Sequence, residues 1–418
     1  MERLEIKKIE PEERYNLLGL SRNPFPSDGA LLEPPRVITF PDKRLKEELE
    51  NFLNALLHGG GVTKEGRALI GEYGSGKTFY LKMVHYLVKK EFPNVASFYI
   101  QYPGYGFHDF TGSIIRAIGL GDIVRKLWSV IREELLNRVK ENDLNWYYTI
   151  FPSEKGKYPW FGTSLQEHIL SDYRTFFDFA KKQRADIDAI LSIFSKIIEK
   201  SVGINANSAR KLSRILMESH YKSYFDWEDI APKRQKEIGD YEFLSAIFSL
   251  IKKVDNYSFI LILLDEFEEI PASKRFTVKE ATDYEYTIRR LFDLASALPL
   301  GIIIATVPTA WELTKEYCEP LASRLLRPIR IQPLDKDGAK KLIVAYLNDA
   351  REEKEALFPF PDNLWELLPN IVRIYPRNLL NFCHETIEIA ASRRTSIDEV
   401  LIKEIAHMWI AEFRERKG

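Results

Sequence analysis

Apolar residues along this chain fall into two patterns. Short unbroken runs have strand length: Ala68-Leu69-Ile70, Val95 to Ile100, Phe259 to Leu264, Gly301 to Val307 and the brief Ile329-Arg330-Ile331. They are apolar throughout rather than alternating, as strands covered on both faces are. Between them, apolar positions recur at helical spacing in 43–57, 78–90, 110–118, 241–253 and 284–298. Strands alternating with such helices predict an α/β fold, a parallel five-stranded sheet with helices on both faces. From about Gly119 to Asp240 the strand signal disappears. Helical patterns at 123–139 and 187–200 flank a connection rich in Trp and Tyr (Trp146, Tyr147, Tyr148, Tyr158, Trp160). After Asp335 the pattern is helical only.

The expected organisation is therefore a lead-in (1–45), a sheet domain (46–118 and 241–334), a large helical insertion (119–240) and a C-terminal helical domain (335–418). The lead-in contains Asn23-Pro24-Phe25-Pro26 and Glu33-Pro34-Pro35. Proline fixes extended or turn backbone, so this segment is expected to lie across the surface of the first domain, near its ligand.

Composition narrows the classes. The 418 residues are 45% hydrophobic and 12% aromatic, enough for two or three ordered cores. A net charge of -1 gives no global pull toward nucleic acid or anionic membrane, although 29% charged residues leave room for local basic faces. Two cysteines, Cys318 and Cys383, suit a reducing cytosol and have no metal-ligand spacing. The charged N-terminus is no signal peptide, and no apolar run approaches a membrane span, so a cytoplasmic protein is expected. Abundant Lys and Glu beside few Met and Cys point to a thermophilic source. The seven histidines are dispersed and no Ser/His/Asp set is legible.

Two stretches carry chemistry. Gly71-Glu72-Tyr73-Gly74-Ser75-Gly76-Lys77-Thr78 fits the phosphate-loop pattern G-x-x-x-x-G-K-[ST], after a strand and before a helix. Glycines let successive backbone N–H groups point at phosphate oxygens, Lys77 suits β- and γ-phosphates, and the Thr78 hydroxyl suits Mg²⁺. The helix N-terminus adds partial positive charge. The second stretch is Leu263-Leu264-Asp265-Glu266-Phe267-Glu268-Glu269. A strand ending in two acids sets carboxylates at the sheet's carboxyl edge, Asp265 for Mg²⁺ and Glu266 to activate the attacking water. Glu268 and Glu269 are expected to be a solvated helix start. The strand ending at Thr306 is expected between the two motif strands, where Thr306 could orient the water or simply be a β-branched strand residue.

Together these features resemble an AAA+ P-loop ATPase, over about residues 20–415 apart from the insertion. The likeness is greatest to origin-recognition/initiator and secretion-type ATPases, and to ATP-binding proteins of phage-defence and transposition systems. Leu18 to Phe25 resembles the N-terminal box that packs near adenine, which puts Asn23 and Phe25 among the nucleotide residues. Arg324 in Leu321-Ala322-Ser323-Arg324-Leu325 sits where relatives place the arginine finger that acts in trans, with Arg327 as competitor. Tyr375-Pro376-Arg377 resembles the start of the lid helix whose arginine senses γ-phosphate. Where many relatives carry Asn, this chain has Thr306. No guanine-selecting N-K-x-D stretch follows the second acidic motif, so ATP is expected over GTP.

The resemblance implies Mg²⁺-dependent ATP hydrolysis by a homo-oligomeric switch or motor acting on a DNA or protein partner. The alternative is a nucleotide-gated protein-binding module with slow hydrolysis, its partner held by the insertion. Basic residues there (Lys181, Lys182, Arg184, Arg210, Lys211, Arg214, Lys233, Arg234, Lys236) are nearly balanced by acids. Initiator relatives usually carry a winged-helix domain after the lid; this sequence stops near the lid's last helix, an expectation against an origin-binding initiator.

Overall fold

The computed structural model describes residues 14–27, 40–58, 66–102, 104, 106–155, 169–221, 237–272, 276–294, 299–325, 327–351, 357–373 and 375–415. The sheet domain runs α1 (Lys43–His58), β1 (Gly66–Ile70), α2 (Lys77–Glu91), β2 (Val95–Ile100) and α3 (Phe107–Ile118). The insertion follows as α4 (Leu120–Lys140), α5 (Asn145–Ile150), α6 (Tyr173–Lys182), α7 (Ile187–Val202) and α8 (Ala206–Tyr221). The sheet domain resumes with α9 (Glu237–Asp255), β3 (Phe259–Leu264), α10 (Val278–Leu294), β4 (Leu300–Thr306), α11 (Pro308–Tyr317), α12 (Glu319–Ala322) and β5 (Ile329–Arg330). The C-terminal domain contains α13 (Lys336–Leu347), α14 (Leu364–Leu367), α15 (Asn370–Arg373), α16 (Pro376–Arg393) and α17 (Glu399–Glu415).

All five strands are parallel, in the order β2-β3-β4-β1-β5. The register pairs Ile70 with Thr306 and Ile100 with Leu264, so the strands finish together at one edge. Side-chain alternation explains the unbroken apolar runs. Leu69, Leu261, Leu263, Ile303 and Ala305 face α1 and α2. Ala68, Ile260, Ile262, Leu264, Ile302 and Ile304 face the opposite layer of α3, α9, α10 and α11. Strands buried on both sides have no solvent face to mark with polar residues.

The insertion is a helical unit with its own core, and no strand occurs among its described residues. Helix α9 belongs to both cores: Ala246, Ile247 and Leu250 face the insertion, while Leu244, Phe248 and Ile251 face the sheet. Trp146, Tyr147 and Phe151 are buried there, so this half of the aromatic stretch is packing; Tyr158 and Trp160 lie outside the described residues. Lys181, Lys182, Arg184, Arg210 and Arg214 are exposed; Lys233, Arg234 and Lys236 lie outside the described residues.

Two expectations change. Residues 14–27 of the lead-in pack on the C-terminal domain rather than on the first domain, whereas Phe40 stacks on Tyr80 of α2 (5.8 Å) and Leu45 is buried in the sheet domain, as expected. Leu18, Leu20 and Phe25 enter the C-terminal domain's core, Ser21 N–H donates to the Ala350 carbonyl (2.8 Å), and Arg22 pairs with Asp349. Three large apolar side chains choose where this segment docks. Helix α10 begins at Val278, six residues before the expected start at Tyr284. The cause is a capping box: Thr277 N–H donates to Glu280 Oε2 (2.9 Å) and Glu280 N–H to Thr277 Oγ1 (3.3 Å).

Helix α10 also carries a buried acid. Glu285 is fully enclosed; Thr314 Oγ1 donates to one oxygen (2.8 Å), and the other has no hydrogen-bond partner. Burial pushes its pKa up to about 7, against the smaller opposing effect of Thr314. The folded chain then holds a proton that the unfolded chain releases from about pH 4.5, so stability falls as pH rises from there through about 7. The loss above that window is about 3 kcal/mol. Glu285→Gln is expected to raise the melting temperature at pH 8 and leave it near the parent's at pH 5. Equal shifts at both pH values would contradict this.

Candidate functional site

At the carboxyl edge β1 hands the chain to the loop Gly71–Thr78. Gly74 (φ +80°) and Gly76 (φ +98°) occupy left-handed conformations that residues with a Cβ adopt only with strain. A Cβ on Gly71 would meet Ser75 Oγ at 2.3 Å. The loop is anchored where Gly71 N–H donates to the Thr306 carbonyl (3.1 Å). Helix α2 then starts at Lys77, and the unpaired N–H groups of its first turn carry the helix's partial positive charge.

The loop, the segment after β3 and two helices of the C-terminal domain enclose a cleft of about 470 Å³. That is within the usual range for small-molecule sites. Tyr73, Gly74, Gly76, Lys77 and Thr78 form one wall, and Asp265, Glu266, Glu268 and Glu269 another. Leu342 and Tyr346 from α13, with Pro376, Arg377 and Leu380 from α16, close it from the third side. The C-terminal domain touches the loop directly, because Arg377 N–H donates to the Gly74 carbonyl (3.2 Å). The cleft therefore has two helix N-termini at its rim, those of α2 and α16.

Lys77 is only 8% exposed. Its Nζ donates to the carbonyls of Gly71 (2.9 Å) and Glu72 (3.4 Å), lies 3.9 Å from Glu268 Oε1, and sits over the Tyr73 ring at 5.3 Å. Burial pulls its pKa down, opposed by Glu268, Asp265 and Glu72. Asp265 is buried, and both of its oxygens are oriented. Tyr99 OH donates to Oδ2 (2.9 Å) and Glu266 N–H to Oδ1 (3.0 Å). Glu266 is exposed on the cleft wall with φ +49°, a left-handed non-glycine conformation that stores about 1 kcal/mol of strain. Partial desolvation raises its pKa, and the charges of Asp265 and Glu269 add to that against the pull of Lys77. A carboxylate shifted upward is a better proton acceptor when ionised.

The donor set fits Mg²⁺. The Thr78 hydroxyl and the Asp265 carboxylate are hard oxygen ligands on facing walls of one cleft. Among the described residues no group of three or more His, Cys, Asp or Glu could hold a metal by itself.

Other expected residues lie outside the cleft lining. Gly71 and Ser75 are buried beneath the loop, with Ser75 Oγ lacking a hydrogen-bond partner, and Glu72 is exposed beside it. Thr306 ends β4, which does lie between β1 and β3, but its side chain is fully enclosed and Oγ1 has no partner. Asn23 Nδ2 donates to His384 O (3.0 Å) and Glu388 Oε1 (2.9 Å), within the C-terminal domain. Phe25 reaches the cleft only indirectly, stacking on Tyr346 at 5.7 Å. The Arg324 carbonyl accepts from Gly66 N–H (3.0 Å), at the start of β1 and hence at the sheet edge opposite the loop. Arg327 is exposed.

Glu268 corrects an expectation. It is no solvated helix start but 7% exposed, on a one-turn 3₁₀ helix (Phe267–Glu269) that points it into the cleft. Phe267 and Ile270, both buried in the core below, hold that turn down. The apolar pair Phe267 and Ile270 flanking it, three residues apart, is the signal in the sequence that could have found it. Tyr99 had no such signal; only the β2–β3 register sets it beside Asp265.

No family model matches the chain. Over 216 residues it is 26% identical to an uncharacterised HTH-type transcriptional regulator of Methanocaldococcus jannaschii, covering 50% of this chain and 49% of that one. The chain thus spans about half the length of this curated relative. Among solved structures, the Aeropyrum pernix ORC2 protein, determined as ADPNP and ADP complexes, is similar with a TM-score of 0.45 and 12% identity. That likeness covers 87% of this chain and 66% of the other. Among the described residues no helix is long and apolar enough to cross a membrane.

Proposed function

We propose that this chain is an AAA+ ATPase, binding ATP with Mg²⁺ between its sheet domain and its C-terminal helical domain. One observation carries the reading: Lys77, Thr78, Asp265, Glu266 and Arg377, from three distant stretches of sequence, line a single cleft. The loop N–H groups and Lys77 hold the phosphates, and Arg377 brings a cation from the lid. Thr78 and Asp265 would hold the metal, which would neutralise charge on the bound phosphates. Glu266 orients the attacking water and takes its proton. The fully buried Thr306 acts, in this reading, by anchoring the loop through its carbonyl rather than by touching the water. Steady-state phosphate release tests the activity: Mg²⁺-dependent ATP turnover is expected, and none at any metal concentration would contradict it.

Arg324 lies at the edge opposite its own cleft, so a role for it at γ-phosphate requires a neighbouring subunit and head-to-tail assembly. Arg324→Ala is then expected to bind ATP as the parent does and to hydrolyse it roughly 1,000-fold more slowly, as loss of an arginine finger does. Parent turnover per subunit should rise with protein concentration. Turnover independent of concentration would remove the trans assignment.

A further inference from the structure

We propose that Glu268 is the resident counter-ion of Lys77, a carboxylate that incoming phosphate has to displace, so that nucleotide affinity is set by a competition within the cleft. The proposal rests on the nucleotide reading above and deepens it.

The geometry is that of a buried ion pair with few other supports. Lys77 and Glu268 are 8% and 7% exposed, with Nζ and Oε1 3.9 Å apart. The other partners of Nζ, the Gly71 and Glu72 carbonyls, are neutral. Among the described residues Glu268 is the one carboxylate within ion-pair distance of Lys77. Its Oε2 is buried without a hydrogen-bond partner, so no hydrogen bond holds that oxygen. Asp265 and Glu266 add like charge nearby, and their repulsion is offset by Lys77. A buried carboxylate in such a setting depends on its cation.

Phosphate arriving at Lys77 brings a second anion to the same ammonium. It cannot share that cation with Glu268 at close range without repulsion, which is strong where water is scarce. Glu268 therefore has to give way, and the turn that carries it directly follows Glu266. Displacement of one carboxylate is in this way linked in sequence to the placing of the other.

Removing the charge but keeping the shape isolates the effect. ADP, titrated with EDTA present so that metal plays no part, is expected to bind Glu268→Gln roughly tenfold more tightly than the parent. Glu268→Asp, which withdraws the charge from Lys77 by one methylene, should tighten binding by about threefold. Glu91→Gln, which removes an exposed acid at the far end of α2, outside the cleft, should change affinity by less than about twofold. A merely structural role for Glu268 would weaken binding, not tighten it. Affinity equal to or below the parent's in a folded Glu268→Gln or Glu268→Asp protein overturns the proposal, as does equal tightening by Glu91→Gln. A parent that binds no ADP at millimolar concentration instead overturns the nucleotide reading itself.

Discussion

Lys77→Ala is expected to abolish ATP turnover to within the assay limit and to weaken nucleotide binding by about 100-fold or more. The ammonium it removes is nearly buried, and its neutral partners are carbonyls of the very loop that is to hold phosphate. Hydrogen bonds from a charged donor contribute about 1.5–3 kcal/mol each, so losing two to phosphate oxygens accounts for that factor. The substitution also leaves Glu268 buried with Asp265 and Glu266 as near neighbours, which makes the cleft more negative toward an anion. Phosphate-release kinetics and a fluorescent-nucleotide titration measure both effects. Parental turnover in this variant would be incompatible with the site.

The second large effect is expected at Glu266. Glu266→Gln keeps the length and hydrogen-bonding capacity of the side chain but cannot take a proton. ATP should bind within about threefold of the parent, while turnover falls by about 100- to 10,000-fold, the usual range for a general base. Binding without turnover would separate this residue from Lys77, whose loss removes both. The parent's pH profile follows from the same group. A base must be ionised to act, so turnover falls as pH drops through the Glu266 pKa. Desolvation and the neighbouring acids raise that pKa, so the fall should begin at a higher pH than an unperturbed glutamate would give. A profile that falls only at or below the pH an unperturbed glutamate would give would assign the proton to another acceptor.

Much of this cleft was legible from residue order, because the features that define it are local. A glycine pattern that allows left-handed backbone, followed at once by Lys and Thr at a helix start, has few other physical uses. An apolar strand ending in Asp265-Glu266 is similarly local, and with parallel strands in register its carboxylates had to fall at the loop's edge. Thr306 shows the limit of that reasoning. The place of its strand between the motif strands follows from the pattern, yet its side chain is enclosed rather than open to the cleft. Glu268 shows the same limit from the other side. Acids after a strand usually stay in water, and only the anchoring of Phe267 and Ile270 in the core turned this one inward. The lead-in depended on tertiary choice as well, since Leu18, Leu20 and Phe25 could have covered either domain. The start of α10 is different, for the Thr277–Glu280 capping box was there to be read.

The central claim is that phosphate loop, acid-ended strand and lid helix act on one bound nucleotide. Amide hydrogen exchange with and without Mg-ATP tests it most directly, because it reports location and occupancy together. Added Mg-ATP should slow exchange at 71–78, 265–269 and 376–380 at the same nucleotide concentration. Protection confined to one of these segments, or absent from all three at saturating Mg-ATP, would contradict the account.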